Sequence, residues 1–203
     1  MTDMSGCINR QIFTIGHSNH SWETFLGLLQ ENNITIVVDV RSSPYSRYTP
    51  HFNRDPFHEA LRTAGIEYLF LGQQLGGHPE GADFYDADGR VRYDRLADSA
   101  AFQAGIGCLR TVIKSGRPAL LCGEEDPAQC HRRLLIARVL GQAGIEVWHL
   151  RGDGRLQSEG ELAAAEVQSQ HRQLSLFDAE EMRPWKSTRS VLPKKAPKNS
   201  LPS

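Results

Sequence analysis

Ile34-Thr35-Ile36-Val37-Val38-Asp39-Val40-Arg41 is the stretch that decides the fold. Its β-branched residues follow one another instead of alternating with polar ones. A strand wet on one face would alternate, so this run suits a strand covered on both faces, as in parallel sheets. Working upstream, Ser21 can cap a helix over 22–31, with Trp22, Phe25, Leu26 and Leu29 on one face. A short buried strand, 12–16, precedes it. Downstream, Asp55-Pro56 starts a second helix and Gly65 lies just past its end. Further strands are expected at 66–71, 118–122 and 145–150, with helices at about 99–114 and 128–143. Strands alternating with helices predict a doubly wound α/β fold. Its mostly parallel five-stranded sheet carries helices on both faces. One domain is expected over 8–155, then a helix over about 159–172. Residues 72–94 read as a long loop, a length uncommon unless functional.

The chain has 203 residues, 39% hydrophobic and 23% charged, which is enough apolar material for one core. No apolar run is long enough to span a membrane. The polar N-terminus has no signal-peptide core, and four cysteines are too few for a disulfide scaffold. A cytoplasmic protein with reduced thiols is therefore expected. The net charge of −1 hides an asymmetry: Arg183, Lys186, Arg189, Lys194, Lys195 and Lys198 follow Glu181 with no acid among them. With four prolines beside them, residues 178–203 read as a basic disordered tail, either solubilising or holding nucleic acid phosphates weakly.

In doubly wound sheets ligands bind beyond the carboxyl ends of the strands. His17 and Asn19 follow the first strand, and Asp39 and Arg41 end the second. Cys122 closes the fourth, with Glu124, Cys130, His131 and Arg132 beyond it. His17, Asp39, Arg41, Glu124 and Arg132 are expected to line one pocket, where the pairing of Asp39 with Arg41 is the plainer alternative to substrate binding. Three chemistries suit the densest cluster. A phosphate-binding cysteine loop is set aside, because Glu124, Glu125 and Asp126 would repel the anion. Zinc prefers such ligands but usually takes paired short spacings, which are missing, so no metal is expected. Acid–base or nucleophilic work fits best, with Glu124 or His131 carrying a proton and Cys122 or Cys130 as nucleophile. Cys130, placed in the first turn of a helix beside His131 and Arg132, is expected to be the reactive thiolate. Tyr45, Arg47, Tyr48, His51 and Phe52 interleave aromatic and basic groups. That suits either base stacking or an ordinary packed loop.

Four ordered motifs carry a resemblance: Thr14-Ile-Gly-His-Ser-Asn19; Val38-Asp-Val-Arg41 with Pro44 and Ser46; Leu75-Gly-Gly77; and Leu121-Cys-Gly-Glu124 with Cys130-His-Arg132. Together they resemble the bacterial and archaeal domain-of-unknown-function family 488, across about residues 12–150. The resemblance implies an intracellular α/β protein. It points to the same residues, His17, Asp39, Arg41, Cys122, Glu124, Cys130, His131 and Arg132, and implies no particular reaction or cofactor.

Beyond the domain, Gln173-Leu174-Ser175-Leu176-Phe177 resembles the pentapeptide that docks bacterial repair proteins on the DNA polymerase sliding clamp. Leu176 and Phe177 would fill an apolar pocket and Gln173 a polar one. Alternatively, Leu174, Leu176 and Phe177 pack back on the domain. The leading expectation is an enzyme of DNA or nucleotide maintenance, a hydrolase or transferase recruited to the clamp. The alternatives are a nucleic-acid or nucleotide adaptor, or a thiol- or metal-responsive protein.

Overall fold

A computed structural model of the chain describes residues 11–173 and 185–191, with side chains through 168 in the last helix. Five strands form the parallel core of one sheet: β1 (Gln11–Gly16), β2 (Ile36–Asp39), β3 (Glu67–Phe70), β4 (Pro118–Cys122) and β5 (Glu146–Leu150). A sixth, β6 (Leu156–Ser158), runs antiparallel to β5, giving the order β3-β2-β4-β1-β5-β6. The sheet is therefore six-stranded, not five. β6 spans three residues behind a tight turn at Gly154, too short to leave an apolar run in the sequence.

The β-branched run is covered on both faces, as its composition predicts. Ile36, Val38 and Val40 enter one core, while Ile34 and Val37 enter the other. Two helices cover the second core. They are α1 (Trp22–Glu31), through Phe25, Leu28 and Leu29, and α2 (Arg54–Thr63), through Phe57 and Leu61. The Thr24 N–H donates to Ser21 Oγ at 3.2 Å, so α1 has the predicted cap. On the opposite face lies α5 (Ala100–Ser115), burying Phe102, Ile106, Leu109 and Ile113. The long loop before it folds into short pieces, α3 (Gly72–Leu75) and α4 (Tyr93–Ala97) among them.

The helix expected over 128–143 is broken. A 3₁₀ turn, Pro127–Gln129, leads to an extended Cys130 (φ −112°, ψ 140°). A π-helical segment, Arg132–Ala137, then runs into α6 (Arg138–Gln142). π-Helical turns recur at functional sites. Here one sets the direction in which His131 and Arg132 leave the backbone. Helix α7 (Glu159–Gln173) is tied back by Arg133, buried and paired with Glu159 at 2.9 Å and Glu166 at 2.5 Å.

Within the tail read as disordered, residues 185–191 lie against the domain. Trp185 Nε1–H donates to the Leu134 carbonyl at 2.6 Å, and Lys186 pairs with Asp86 at 2.6 Å. The Ser187 N–H donates to Val91 O, and its hydroxyl accepts from the Val91 N–H. The clamp-like segment 173–177 and the rest of the tail lie outside the residues whose side chains are described.

Candidate active site

The sheet order sets β4 between β2 and β1, so the carboxyl ends of these three strands meet. They carry Arg41, Cys122 and His17. The His17 N–H donates to the Cys122 carbonyl at 2.9 Å, and the Ser18 N–H to Gly123 O at 3.0 Å, which ties the loop after β1 to the loop after β4. Gly16 permits this crossing, because a Cβ there would lie 1.9 Å from the Glu124 carbonyl oxygen. Above the strand ends opens a cavity of about 560 Å³. That is room for a small ligand.

Cys122, Cys130 and His131 form its floor, and His17, Arg41 and Glu124 contribute to its walls. Three expected residues are placed elsewhere. Asn19 is exposed and off the cavity. Asp39 is buried behind Arg41, which it holds through two hydrogen bonds of 2.9 and 2.6 Å while also accepting from Tyr68. Arg132 has no exposed surface and does not reach the cavity. One of its nitrogens donates to the Glu125 carbonyl at 2.5 Å, and Nε and Nη1 make no hydrogen bond among the described residues. The Glu125 side chain is paired with Arg151 at 2.9 Å. A buried guanidinium needs negative charge nearby, and the Glu125 carboxylate, itself lowered in part by the Arg132 charge, supplies some of it.

His131 is the hinge of the chemistry. Its Nε2 lies 3.1 Å from the Val40 carbonyl, which can only accept, so Nε2 carries hydrogen. Nδ1 then faces sulfur, 3.7 Å from Cys122 Sγ and 3.9 Å from Cys130 Sγ. Gly77 stacks against this ring, since a Cβ there would come within 2.9 Å of Cγ and Nδ1. Hydrogen bonding from the Cys130 thiol holds Cys122 well below the ordinary thiol range. Burial opposes this, and the His131 charge and the Glu124 N–H reinforce it. Burial and the Cys122 thiolate push Cys130 well up, so Cys130 is the donor of the pair. Burial works against a charged His131, yet the Cys122 thiolate outweighs it and raises the imidazole. Within the pair the thiol pushed down is Cys122 and the one pushed up is Cys130. The sequence reading placed Cys130 in a helix's first turn, whereas the observed residue is extended and buried beside a second thiol. Cys7 lies outside the described residues and Cys108 is exposed.

The three ligand-type atoms of Cys122, Cys130 and His131 lie within 4.8 Å of one another, so the cluster is also geometrically able to hold a soft metal ion. It supplies three ligands among the described residues, one short of a closed structural zinc site.

His17 stacks on Phe52 with ring centroids 4.6 Å apart, and Nδ1–H donates to the Ser18 carbonyl at 2.8 Å. Burial first, and then the Arg41 charge, push its pKa down to about 4, so the ring is neutral near pH 7. The unfolded chain takes up this proton near pH 6.5 and the folded chain only near 4. Stability from a neutral buried His17 is thus present above 6.5 and lost as pH falls toward about 4. At 1.36 kcal/mol per unit the loss reaches about 3 kcal/mol. Denaturant melts at pH 7.5 and 4.5 check this. His17→Gln should lose about 1–3 kcal/mol less than the wild type between those values, and an equal loss in both would refute the assignment.

Sequence reasoning missed the wall formed by Ser187, Thr188, Arg189, Ser190 and Val191, all of which line the cavity. The available signal was Trp185, a lone large aromatic in a basic, proline-rich stretch. Its ring lies edge-on to Tyr93, with Arg138 4.5 Å above it.

Fold and site together define a doubly wound α/β protein with a cysteine–histidine cavity at its strand ends. The chain belongs to the family described as Domain of unknown function DUF488, which matches over residues 21–139. That span contains Arg41, Gly77, Cys122, Cys130 and His131. It omits the β1 motif with His17, and the 185–191 wall. No curated protein and no solved structure matches the chain. No helix among the described residues is long and apolar enough to cross a membrane.

Proposed function

We propose that the protein is an enzyme using Cys122 as a nucleophile on a nucleotide or nucleic acid substrate. The observation that carries the reading is the geometry at the cavity floor: Cys122 Sγ is 3.7 Å from His131 Nδ1, and Cys130 Sγ lies within 4.8 Å of both. A thiolate facing a cavity attacks an electrophilic centre and forms a covalent intermediate. A proton goes to the leaving group from His131 or from Glu124 in the wall, and water or a second substrate then releases the product. This is hydrolase or transferase chemistry. The nucleotide class is supported by Tyr45 and Tyr48, 74% and 78% exposed, with the Arg47 guanidinium 4.7 Å over the Tyr48 ring. Tyr45 also lines the cavity. Exposed aromatic faces beside cations suit base stacking.

The experiment is brief treatment with iodoacetamide at neutral pH, with sites read by mass spectrometry. Turnover of a panel of nucleotide and oligonucleotide substrates is then compared between wild type and Cys122→Ser. Cys122 should be modified first, and the variant should lose about 10³-fold or more in turnover, as nucleophile removal does. Turnover retained in Cys122→Ser overturns the reading. Stoichiometric zinc that masks both thiols would replace it with a metal-site reading, which the three converging ligand atoms favour.

We also propose a cytoplasmic protein recruited to the sliding clamp through Gln173, Leu174, Leu176 and Phe177. A peptide covering 171–178 should bind a bacterial clamp with about micromolar affinity. Leu176→Ala with Phe177→Ala should abolish that binding and leave the domain's melting temperature unchanged. A markedly lower melting temperature would mean that these side chains belong to the core.

A further inference from the structure

The wall formed by 185–191 has features that a structural strap does not need. Its anchors lie at its start: Trp185 on Leu134, Lys186 on Asp86, and Ser187 on Val91. Past them the chain crosses the cavity edge and is fixed again where the Val191 N–H meets Gly89 O at 3.0 Å. Between the anchors lie Thr188 and Arg189. Among the described residues, neither backbone N–H has an acceptor, and the Arg189 guanidinium has no carboxylate or hydrogen-bond partner. Yet both residues line the cavity. Arg41, on the facing wall, is already neutralised by Asp39. Arg189 is thus the arginine on the cavity wall that no described acid neutralises; the anchors fix the backbone on either side of it, and its side chain is exposed.

Free backbone N–H groups in a tight loop together with a guanidinium are the donors that a tetrahedral oxyanion requires. Planar guanidinium groups match phosphate oxygens two at a time. Ser42, Ser43 and Ser46 line the same cavity.

We infer that the docked 185–191 segment is the phosphate-binding wall of the site, with Arg189 and the Thr188–Arg189 backbone holding the phosphate of a phosphomonoester ligand against the repulsion of Glu124, the acid that lines the same cavity. This rests on the reading of the cavity as the substrate site, but not on Cys122 being the nucleophile. It gives the basic tail a task inside the enzyme, distinct from the diffuse attraction of its net charge. Anchoring by Trp185 makes the wall part of the resting site.

The test is calorimetric titration of the full-length protein with inorganic phosphate, with hydrogen exchange of the 187–191 amides as a positional readout. The wild type should bind at about millimolar phosphate, and Arg189→Ala should bind about tenfold more weakly. Arg110→Ala, an exposed arginine on α5, should match the wild type. Phosphate should slow exchange at 188–190 in the wild type and not in Arg189→Ala. Equal affinity in wild type and Arg189→Ala, or slowed exchange confined to other segments, overturns the inference. If Cys122 proves inert to iodoacetamide while phosphate binding still depends on Arg189, the nucleophile reading falls and the phosphate wall stands. If Cys122 reacts first but phosphate binding ignores Arg189, the reverse holds.

Discussion

Gly16→Ala is expected to lower the melting temperature by about 10 °C. The added Cβ would sit 1.9 Å from Glu124 O, 2.6 Å from Glu124 C and 2.8 Å from Glu125 Cα. All three are backbone atoms, so no side chain can rotate away. Either the end of β1 must shift against β4, breaking the Gly16–Cys122 register, or the 123–125 loop must lift. Overpacked cores typically cost about 1–3 kcal/mol. A clash that only backbone movement can relieve belongs at or above the top of that range. For a domain of this size each kcal/mol shifts the melting point by about 2–4 °C. Gly27→Ala is the control, since a Cβ there meets nothing within 4 Å inside helix α1. It should raise stability by about 0.5–1 kcal/mol, the helical cost of glycine relative to alanine. Thermal melts of the two variants should move in opposite directions. A Gly16→Ala melt within about 2 °C of wild type would mean that the loops do not cross as described.

His131→Ala should slow alkylation of Cys122 by about tenfold or more at neutral pH while leaving the fold assembled. The imidazole is one of the groups holding the Cys122 thiol down, and burial alone would push it up. An unassisted thiol is only a few per cent thiolate at pH 7, so losing the imidazolium moves Cys122 toward that state, although Cys130 and the Glu124 N–H still favour the charged form. The higher nucleophilicity of a more basic thiolate returns part of that loss, hence about tenfold and not a hundredfold. Gly77→Ala should act in the same direction more weakly, because its Cβ would press on the imidazole at 2.9 Å. Alkylation time courses read by mass spectrometry, with circular dichroism to confirm folding, check both. A rate unchanged in His131→Ala would show that Cys122 owes nothing to the imidazole.

Much of the scaffold was legible because its signals are local. The Ser21 cap, the stop at Gly65 (φ +74°) and that at Gly144 (φ +75°) each follow from one residue's own preferences. The unbroken β-branched run from Ile34 gave the parallel sheet, because only a strand covered twice tolerates it. The strand-end rule puts His17, Arg41 and Glu124 around one cavity, and all three line it. What stayed hidden depends on contacts between distant segments. How the two thiols differ depends on Cys130 lying beside Cys122, and on Val40, just past β2, fixing the His131 ring. Neither is visible in the spacing of Cys122 and Cys130. Arg132 looked like a wall residue, but the π-helical turn carries it into the interior. The docked wall at 185–191 was hidden because basic and proline-rich composition outweighs a single tryptophan in any average. It took the Leu134 carbonyl, 51 residues away, to hold that indole.

The proposed chemistry needs Cys122 to be a thiolate beside Cys130 and His131 at the cavity floor. The most direct measurement is the pH dependence of its alkylation by iodoacetamide in the full-length protein, followed site by site by mass spectrometry with exposed Cys108 as internal reference. The Cys122 rate should stay flat through the ordinary thiol range, about pH 8.5, while the Cys108 rate climbs through it. A Cys122 rate that rises about tenfold per pH unit up to that range, in parallel with Cys108, would contradict it.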